Sequence, residues 1–267
     1  MPPVHLSSLR PYLPTSSLPS PPALVPPTAG FSSRELGRCR PRFLGILLGL
    51  ADSRRQGRMA ASSSLRLILG SSSSSRRQIL SEMGYKFTLL SADIDEKEIR
   101  KEKPEELVVA LAHAKADAIM EKLQNNGMMK EILDSQESTL LITADQVVVH
   151  DGVIREKPST PEEARKFIKG YSESHAATIG SVLVTNVKSG ARKEGWDKAE
   201  VYFHKIPDEV VESLIEEGNV FYVAGGLLVE HPLTSPLVEA IVGTIDSVMG
   251  LPKSLTEKLI KESLEEP

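Results

Sequence analysis

From Thr139 to Val149 the chain reads Thr-Leu-Leu-Ile-Thr-Ala-Asp-Gln-Val-Val-Val, a β-forming and largely apolar run that a single carboxylate, Asp145, interrupts. Burying an unpaired charge costs roughly several kcal/mol even after relaxation. An acid in such a run is therefore paired, bound to a metal, or set at a strand end where the chain opens into a cleft. We read Asp145 as standing at a strand end beside a cleft. An Asp capping a turn between two short strands is the ordinary alternative.

With 267 residues, 40% hydrophobic and 25% charged, the chain can bury one sizeable core or two lobes that share it. Its charge is unevenly spread. Residues 1–58 hold eight Arg, no Lys and only two acids, Glu35 and Asp52, leaving 24 bases against 34 acids in the remainder. A surface that acidic argues against nucleic-acid binding, which neutralises many phosphates with a basic face. An anionic ligand must be met by a local cluster of cations. The only cysteine, Cys39, lies in the leading segment, so the rest of the chain has no disulfide framework or thiolate metal site, and a reducing, cytoplasmic compartment fits. No stretch approaches the roughly 18–20 apolar residues that cross a bilayer, and no membrane role is expected.

Ten of the 18 prolines fall in residues 1–58, where no hydrophobic period survives, so this leader is expected to be disordered. Its Arg- and Ser-rich, acid-poor make-up resembles a plastid or mitochondrial transit peptide. Alternatively, translation begins at Met59 and the upstream residues precede the native start. The functional domain is placed at 59–267. Strand and helix signals alternate there, the mark of an α/β domain: strands at 65–69 and 87–90, helices at 76–83 and 104–123, strands at 139–144 and 147–150 with a turn at Asp151-Gly152. A helix from Pro161, strands at 177–186 and 199–204, and helices at 207–217 and 252–262 complete it. The order is mixed, so a mixed sheet is expected.

Between the first strand and first helix stands Leu69-Gly-Ser-Ser-Ser-Ser-Ser-Arg-Arg77. Small residues let backbone N–H groups approach a ligand, a helix N-terminus favours anions, and Arg76 and Arg77 offer forked donors suited to phosphate oxygens. A serine-rich linker is the plain alternative. Lys115 falls on one stripe of the long helix with Val108, Leu111, Ala112 and Ile119, at the spacing of a core-facing surface. Either its stem snorkels or its ammonium points into a cleft, at a phosphate or at Asp145. Lys157 sits in a loop, where lysines are usually solvated. Glu96 would add a second carboxylate to Asp145 for a hard divalent cation, since Mg²⁺ is typically held by one or two carboxylates plus substrate phosphates. No Walker phosphate loop, nucleophile elbow or zinc helix occurs, and the six histidines lack ligand-like spacing.

Taken in order, Leu69–Arg77, Ile94-Asp-Glu96, Ala112-x-x-Lys115-Ala116, Ala144-Asp-Gln146, Glu156-Lys-Pro158 and Gly250-Leu-Pro252 resemble the Maf family of nucleoside triphosphate pyrophosphatases over about residues 65–262. The resemblance implies an elongated α/β fold with two lobes around a cleft, as in the related inosine triphosphatases, and a homodimer. It also implies hydrolysis of a nucleoside triphosphate between the α and β phosphates, with a divalent cation, Mg or Mn. By matching positions, Asp145 is implied as proton acceptor or metal ligand and Glu96 as a helper in holding the metal. The resemblance likewise implies that Arg76, Arg77, Lys115 and Lys157 grip the triphosphate and that Ser71 binds phosphate.

The longer serine loop and Gln146 lean towards the branch acting on 7-methyl-GTP, with Ser75, Gln146 and Glu230 where specificity is set. Ser74 and Ser75, in place of that branch's proline and large aromatic, and His231-Pro232-Leu233, in place of its glycine-rich stretch, keep the dTTP/UTP branch open. A house-cleaning enzyme for damaged purine triphosphates and a non-catalytic nucleotide-sensing regulator are the further alternatives.

Overall fold

The computed structural model describes residues 65–265; the expectations of a disordered leader, a transit peptide or a start at Met59 lie outside the described residues. Leu65–Leu69 forms β1, Ser74–Glu82 α1 and Phe87–Leu89 β2. Pro104–Asn125 is α2, opened by proline at the one helical turn that tolerates it, and Met128–Asp134 is α3. The apolar run becomes β3, Ser138–His150, and turns at Asp151-Gly152 into β4, Val153–Arg155. Pro161–Tyr171 (α4), His175–Asn186 (β5), Arg192–Phe203 (β6) and Asp208–Glu217 (α5) follow. Val238–Val242 (β7), Ile245–Val248 (α6) and Lys253–Glu265 (α7) complete the described chain.

Seven strands make one mixed sheet in the order β2-β1-β3-β5-β6-β7, with β4 also on β3. β1 runs parallel to β2 and β3, and the remaining pairs are antiparallel. The expected α/β class and mixed sheet are therefore what the chain adopts. Helices cover both faces. On one, Ala112, Ala116, Ile119 and Leu123 of α2 pack with Ile68, Leu141 and Leu183, while Leu107, Val108 and Leu111 pack on Val147 and Ile179. On the other, Ile79 and Leu80 of α1 and Leu259 and Ile260 of α7 pack on Leu140, Ile142, Ala144 and Val182. Each such leucine or isoleucine, removed from water, stabilises the fold by about 2 kcal/mol.

Two expectations are corrected. The strands at 139–144 and 147–150 are one thirteen-residue strand, and Asp145 lies in its interior rather than at its end. The strand continues because β5 pairs across it without interruption, Asp145 opposite Ser181, and because a cation reaches the carboxylate. β6 also starts at Arg192 rather than 199; residues 192–198 are mostly charged and none is buried, so pairing with β5 extends the strand where no apolar period announces it. The elements α3, β7 and α6 are additional to those expected. β7 is a largely exposed edge strand with no apolar alternation.

What opens beside Asp145 is a gap in the sheet. β1 accompanies β3 only as far as Leu69 opposite Ile142, and β4 rejoins it at Val148 opposite Arg155. Ala144 belongs to the core with α1 and α7, whereas Val148 belongs to a separate core with Ala164, Ile168, Tyr171, Val201 and Phe203. Asp145 and Gln146 lie on the strand between those two cores.

Candidate active site

Asp145 is 7% exposed and Lys115, from α2, is 9% exposed. The Lys115 ammonium donates to Asp145 Oδ1 and lies 2.8 Å from Glu96 Oε1. Lys157 Nζ approaches the same Glu96 carboxylate, at 3.7 Å from Oε2. Four residues separated widely in sequence thus form one continuous chain of alternating charge. Pairing is what permits Asp145 to stay in the strand, because the desolvation cost of each ion is offset only by a close counter-charge.

Local structure delivers each group. Thr143 Oγ1 donates to the Ala112 carbonyl and Ser181 Oγ to the Val108 carbonyl, which locks the register of α2 over β3 and β5. Lys115 lies one turn beyond Leu111 on the buried stripe, so its ammonium is carried to Asp145. Asp95 caps a short helical turn, Glu96–Glu98, by accepting from the Lys97 N–H. Arg155 donates to the Phe167 carbonyl and so ties the stretch leading to Glu156 and Lys157 onto α4. Burial alone would raise the Glu96 carboxyl; Lys115, Lys157 and Arg76 outweigh it and hold the group below its ordinary value.

The serine run bends around the start of α1. Ser73 is the N-cap, its hydroxyl accepting from Arg76 N–H, and Ser71 Oγ accepts from Ser73 N–H. Arg76 bridges the gap in the sheet: Nη1 donates to the Ala144 carbonyl and Nε to the Gly250 carbonyl, each at 2.9 Å. Burial lowers its pKa, opposed by Asp145 and Glu96, and a guanidinium remains charged regardless. On the opposite side of β3 from Asp145, Gln146 donates to the Val248 carbonyl at 2.8 Å and to that of Ser247 at 3.2 Å. Gly250 is needed here, with φ of 93° and a Cβ position 2.8 Å from Gln146 Oε1 and 3.2 Å from Arg76 Nε.

A cleft of about 1150 Å³ is lined by Ser71, Ser75, Arg76, Glu96, Lys115, Asp145, Gln146, Lys157 and Glu230. These are all of the site residues expected from sequence except Arg77. That side chain is exposed on α1, its Nε 3.4 Å from the Ser73 carbonyl, and is not among the cleft's lining residues. One residue on from Arg76, a rotation of about 100° takes it away from the Ala144 and Gly250 carbonyls that Arg76 reaches. The cleft adds residues that sequence reasoning did not single out: Lys97, Phe167, Asn219 and Tyr222. Lys97 adjoins Glu96 and could have been suspected on that ground; nothing local marks the others.

A seven-stranded mixed sheet with a broad cleft that gathers Asp145, Glu96, Lys115, Lys157 and Arg76 at the centre of the sheet defines an α/β protein with a charged ligand cleft. The Maf-like protein family profile matches residues 66–263, and the chain belongs to that family. Among its relatives is a 7-methyl-GTP pyrophosphatase of Dictyostelium discoideum, 41% identical over 73% of this chain and 96% of the relative. A dTTP/UTP pyrophosphatase of Alkaliphilus metalliredigens is 31% identical over 70% and 90%. A nucleoside triphosphate pyrophosphatase of Salinispora tropica is 30% identical over 76% and 86%.

Proposed function

We propose that this protein hydrolyses nucleoside triphosphates to the monophosphate and pyrophosphate, with 7-methyl-GTP the preferred substrate, and that Asp145 is its general base. The observation that carries the proposal is the Lys115–Asp145–Glu96 cluster, its Lys115–Asp145 pair buried and its Glu96 accessible, at the wall of a cleft large enough for a nucleotide. Asp145 takes a proton from water as the water oxygen bonds to the α phosphorus, and the bond from that phosphorus to the bridging oxygen breaks to release pyrophosphate. Arg76, Lys115 and Lys157 neutralise the triphosphate, and Ser71 with the serine loop holds phosphate oxygens; such chemistry asks mainly for positioning and charge stabilisation. Ser75, Gln146 and Glu230 face the remainder of the nucleotide. The longer serine loop, Gln146 and the 41% identical relative named for 7-methyl-GTP support the preferred base.

A divalent cation, Mg or Mn, fits this donor set. Among the described residues no group of three or more His, Cys, Asp and Glu side chains is arranged to hold a metal, so a closed protein site does not suit it. Asp145 and Glu96 supply two carboxylates, the usual protein share for a cation that shares phosphate ligands. The cleft is lined by four Lys and Arg side chains against six Asp and Glu, so side chains alone do not neutralise a triphosphate. The cation would supply the missing positive charge and favour deprotonation of water. Asp145 and Glu96 would hold it.

Family membership supports a homodimer as the assembly, and the lack of cysteine after Cys39 fits a cytoplasmic setting. No described helix is long and apolar enough to cross a membrane. The deciding experiment is pyrophosphate release from 7-methyl-GTP, UTP, dTTP, CTP and ITP under matched Mg²⁺ and Mn²⁺, with Asp145→Asn alongside. Nucleotide binding without pyrophosphate release by the wild type would instead identify a sensor.

A further inference from the structure

We infer that Tyr222 is the surface on which the substrate base stacks, serving in place of the aromatic side chain absent at Ser75, and that with Glu230 it selects a cationic purine. The inference rests on the proposed triphosphate hydrolysis and names the residue behind its base preference. Tyr222 ends a short helical turn, Asn219–Tyr222, lines the cleft, and is 79% exposed. Its phenyl ring is thus presented to the cavity rather than used in a core.

The backbone beneath it is fixed. Three residues on, Gly225 N–H donates to the Glu156 carbonyl at 2.9 Å, and Tyr171 Oη donates to the Gly225 carbonyl at 2.8 Å. The Arg155 guanidinium lies 5.0 Å over the Tyr171 ring. Gly225 has φ of 61°, and a Cβ there would stand 2.6 Å from Tyr171 Oη and 2.7 Å from Val148 Cβ. The segment is therefore clamped onto the sheet while the Tyr222 ring stays free, which suits a stacking platform whose ordering is complete before the ligand arrives.

The positive charge of the cleft comes from one part of the chain. All four basic residues lining it, Arg76, Lys97, Lys115 and Lys157, precede residue 158. The lining residues from Asn219 onward, Tyr222 and Glu230 among them, include one acid and no Lys or Arg. Phosphates are thereby drawn to the basic residues, and the later segment offers an aromatic face and a carboxylate to the base. That pair of groups recognises a positively charged aromatic ring: the face through cation–π attraction and stacking, the carboxylate through charge and by accepting from ring N–H groups. A purine methylated at N7 carries such a charge, whereas uracil is neutral and has a smaller face.

The test compares kcat/KM for 7-methyl-GTP, GTP and UTP in the wild type, Tyr222→Leu and Tyr222→Trp. Tyr222→Leu should lower the 7-methyl-GTP to GTP ratio roughly tenfold, mainly through KM, with a smaller loss for UTP, and Tyr222→Trp should restore it. An unchanged ratio, or equal losses on all three, overturns the inference while leaving the hydrolytic reading intact. A second measurement does not need turnover. Trp196, the single tryptophan, is half-exposed, so in a Trp196→Phe background Tyr222→Trp reports on stacking alone. Saturable quenching of that fluorescence by 7-methyl-GMP, stronger than by GMP or UMP, supports the inference; no preferential quenching overturns it. Should no nucleotide be hydrolysed, the proposed activity fails, and the quenching decides the stacking role by itself.

Discussion

Lys115 and Asp145, thirty residues apart and contributed by a helix and a strand, form an ion pair in which each side chain is about nine-tenths buried. The pair is not closed. Glu96 competes for the same ammonium at 2.8 Å and is itself 36% exposed towards the cleft, so Lys115 is shared between a buried and an accessible carboxylate. Under the proposed function, an arriving triphosphate and cation would redistribute that charge without any side chain having to cross the core.

Asp145→Asn keeps the shape of the side chain and removes its basicity. Pyrophosphate release should fall by roughly two to four powers of ten, the range spanned by loss of a general base, while nucleotide binding persists. Near-normal turnover in a steady-state assay would defeat the role assigned to Asp145.

Lys115→Met retains the apolar stem but strands Asp145 without its cation. Breaking a buried pair from one side costs about 3 kcal/mol or more, which urea denaturation should register along with a loss of activity. Combining Lys115→Met with Asp145→Asn should recover much of that stability and none of the turnover. Additive losses in the double variant would mean that the two groups are not energetically coupled.

Gly250→Ala places a methyl group against Gln146 Oε1 and Arg76 Nε at a backbone angle of 93°. Strain at positive φ costs about 1–3 kcal/mol, and the Arg76 fork and the Gln146 contacts must also shift. A lower Tm with a raised KM is expected; unaltered KM would separate Gly250 from the cleft geometry.

Burial pushes the Tyr171 phenol up to about 12 from its ordinary 10, with Arg155 opposing. The contribution is fully present below pH 10, where the phenol is neutral in both folded and unfolded chains, and is lost as pH rises towards 12 and only the unfolded chain ionises. Tyr171→Phe should cost about 1–2 kcal/mol at pH 8 through the hydrogen bond lost to Gly225. The gap between variant and wild type should narrow at pH 11, measured by urea denaturation; a gap that widens with pH would contradict the sign.

Much of the fold was legible because local signals agreed with it. Pro104 and Pro161 open helices, Asp151-Gly152 turns a hairpin, and the apolar run at 139–149 lies within a buried strand. The stripe that placed Lys115 among Val108, Leu111 and Ile119 was informative for the same reason: a charge at a core-facing position must have a partner. β7 and the first half of β6 were not legible, since edge and solvent-facing strands are held by pairing rather than by apolar alternation. Arg77 looked equivalent to Arg76 until helical geometry turned it away. Tyr222 carries no local signal, because its significance lies only in which cavity it borders.

By itself the sequence determined that the chain builds an α/β domain of its family and that cations and carboxylates recur in motifs along it, since propensity, periodicity and residue chemistry act over a few residues. Only the tertiary structure decided that Asp145 sits inside a continuous strand, at the place where β1 leaves β3 and β4 has yet to join it. Strand pairing and helix register are long-range properties. They link Asp145, Lys115, Glu96 and Lys157 in one chain of charges and bring Tyr222 and Glu230 to the same cleft, and no window of neighbouring residues contains that information.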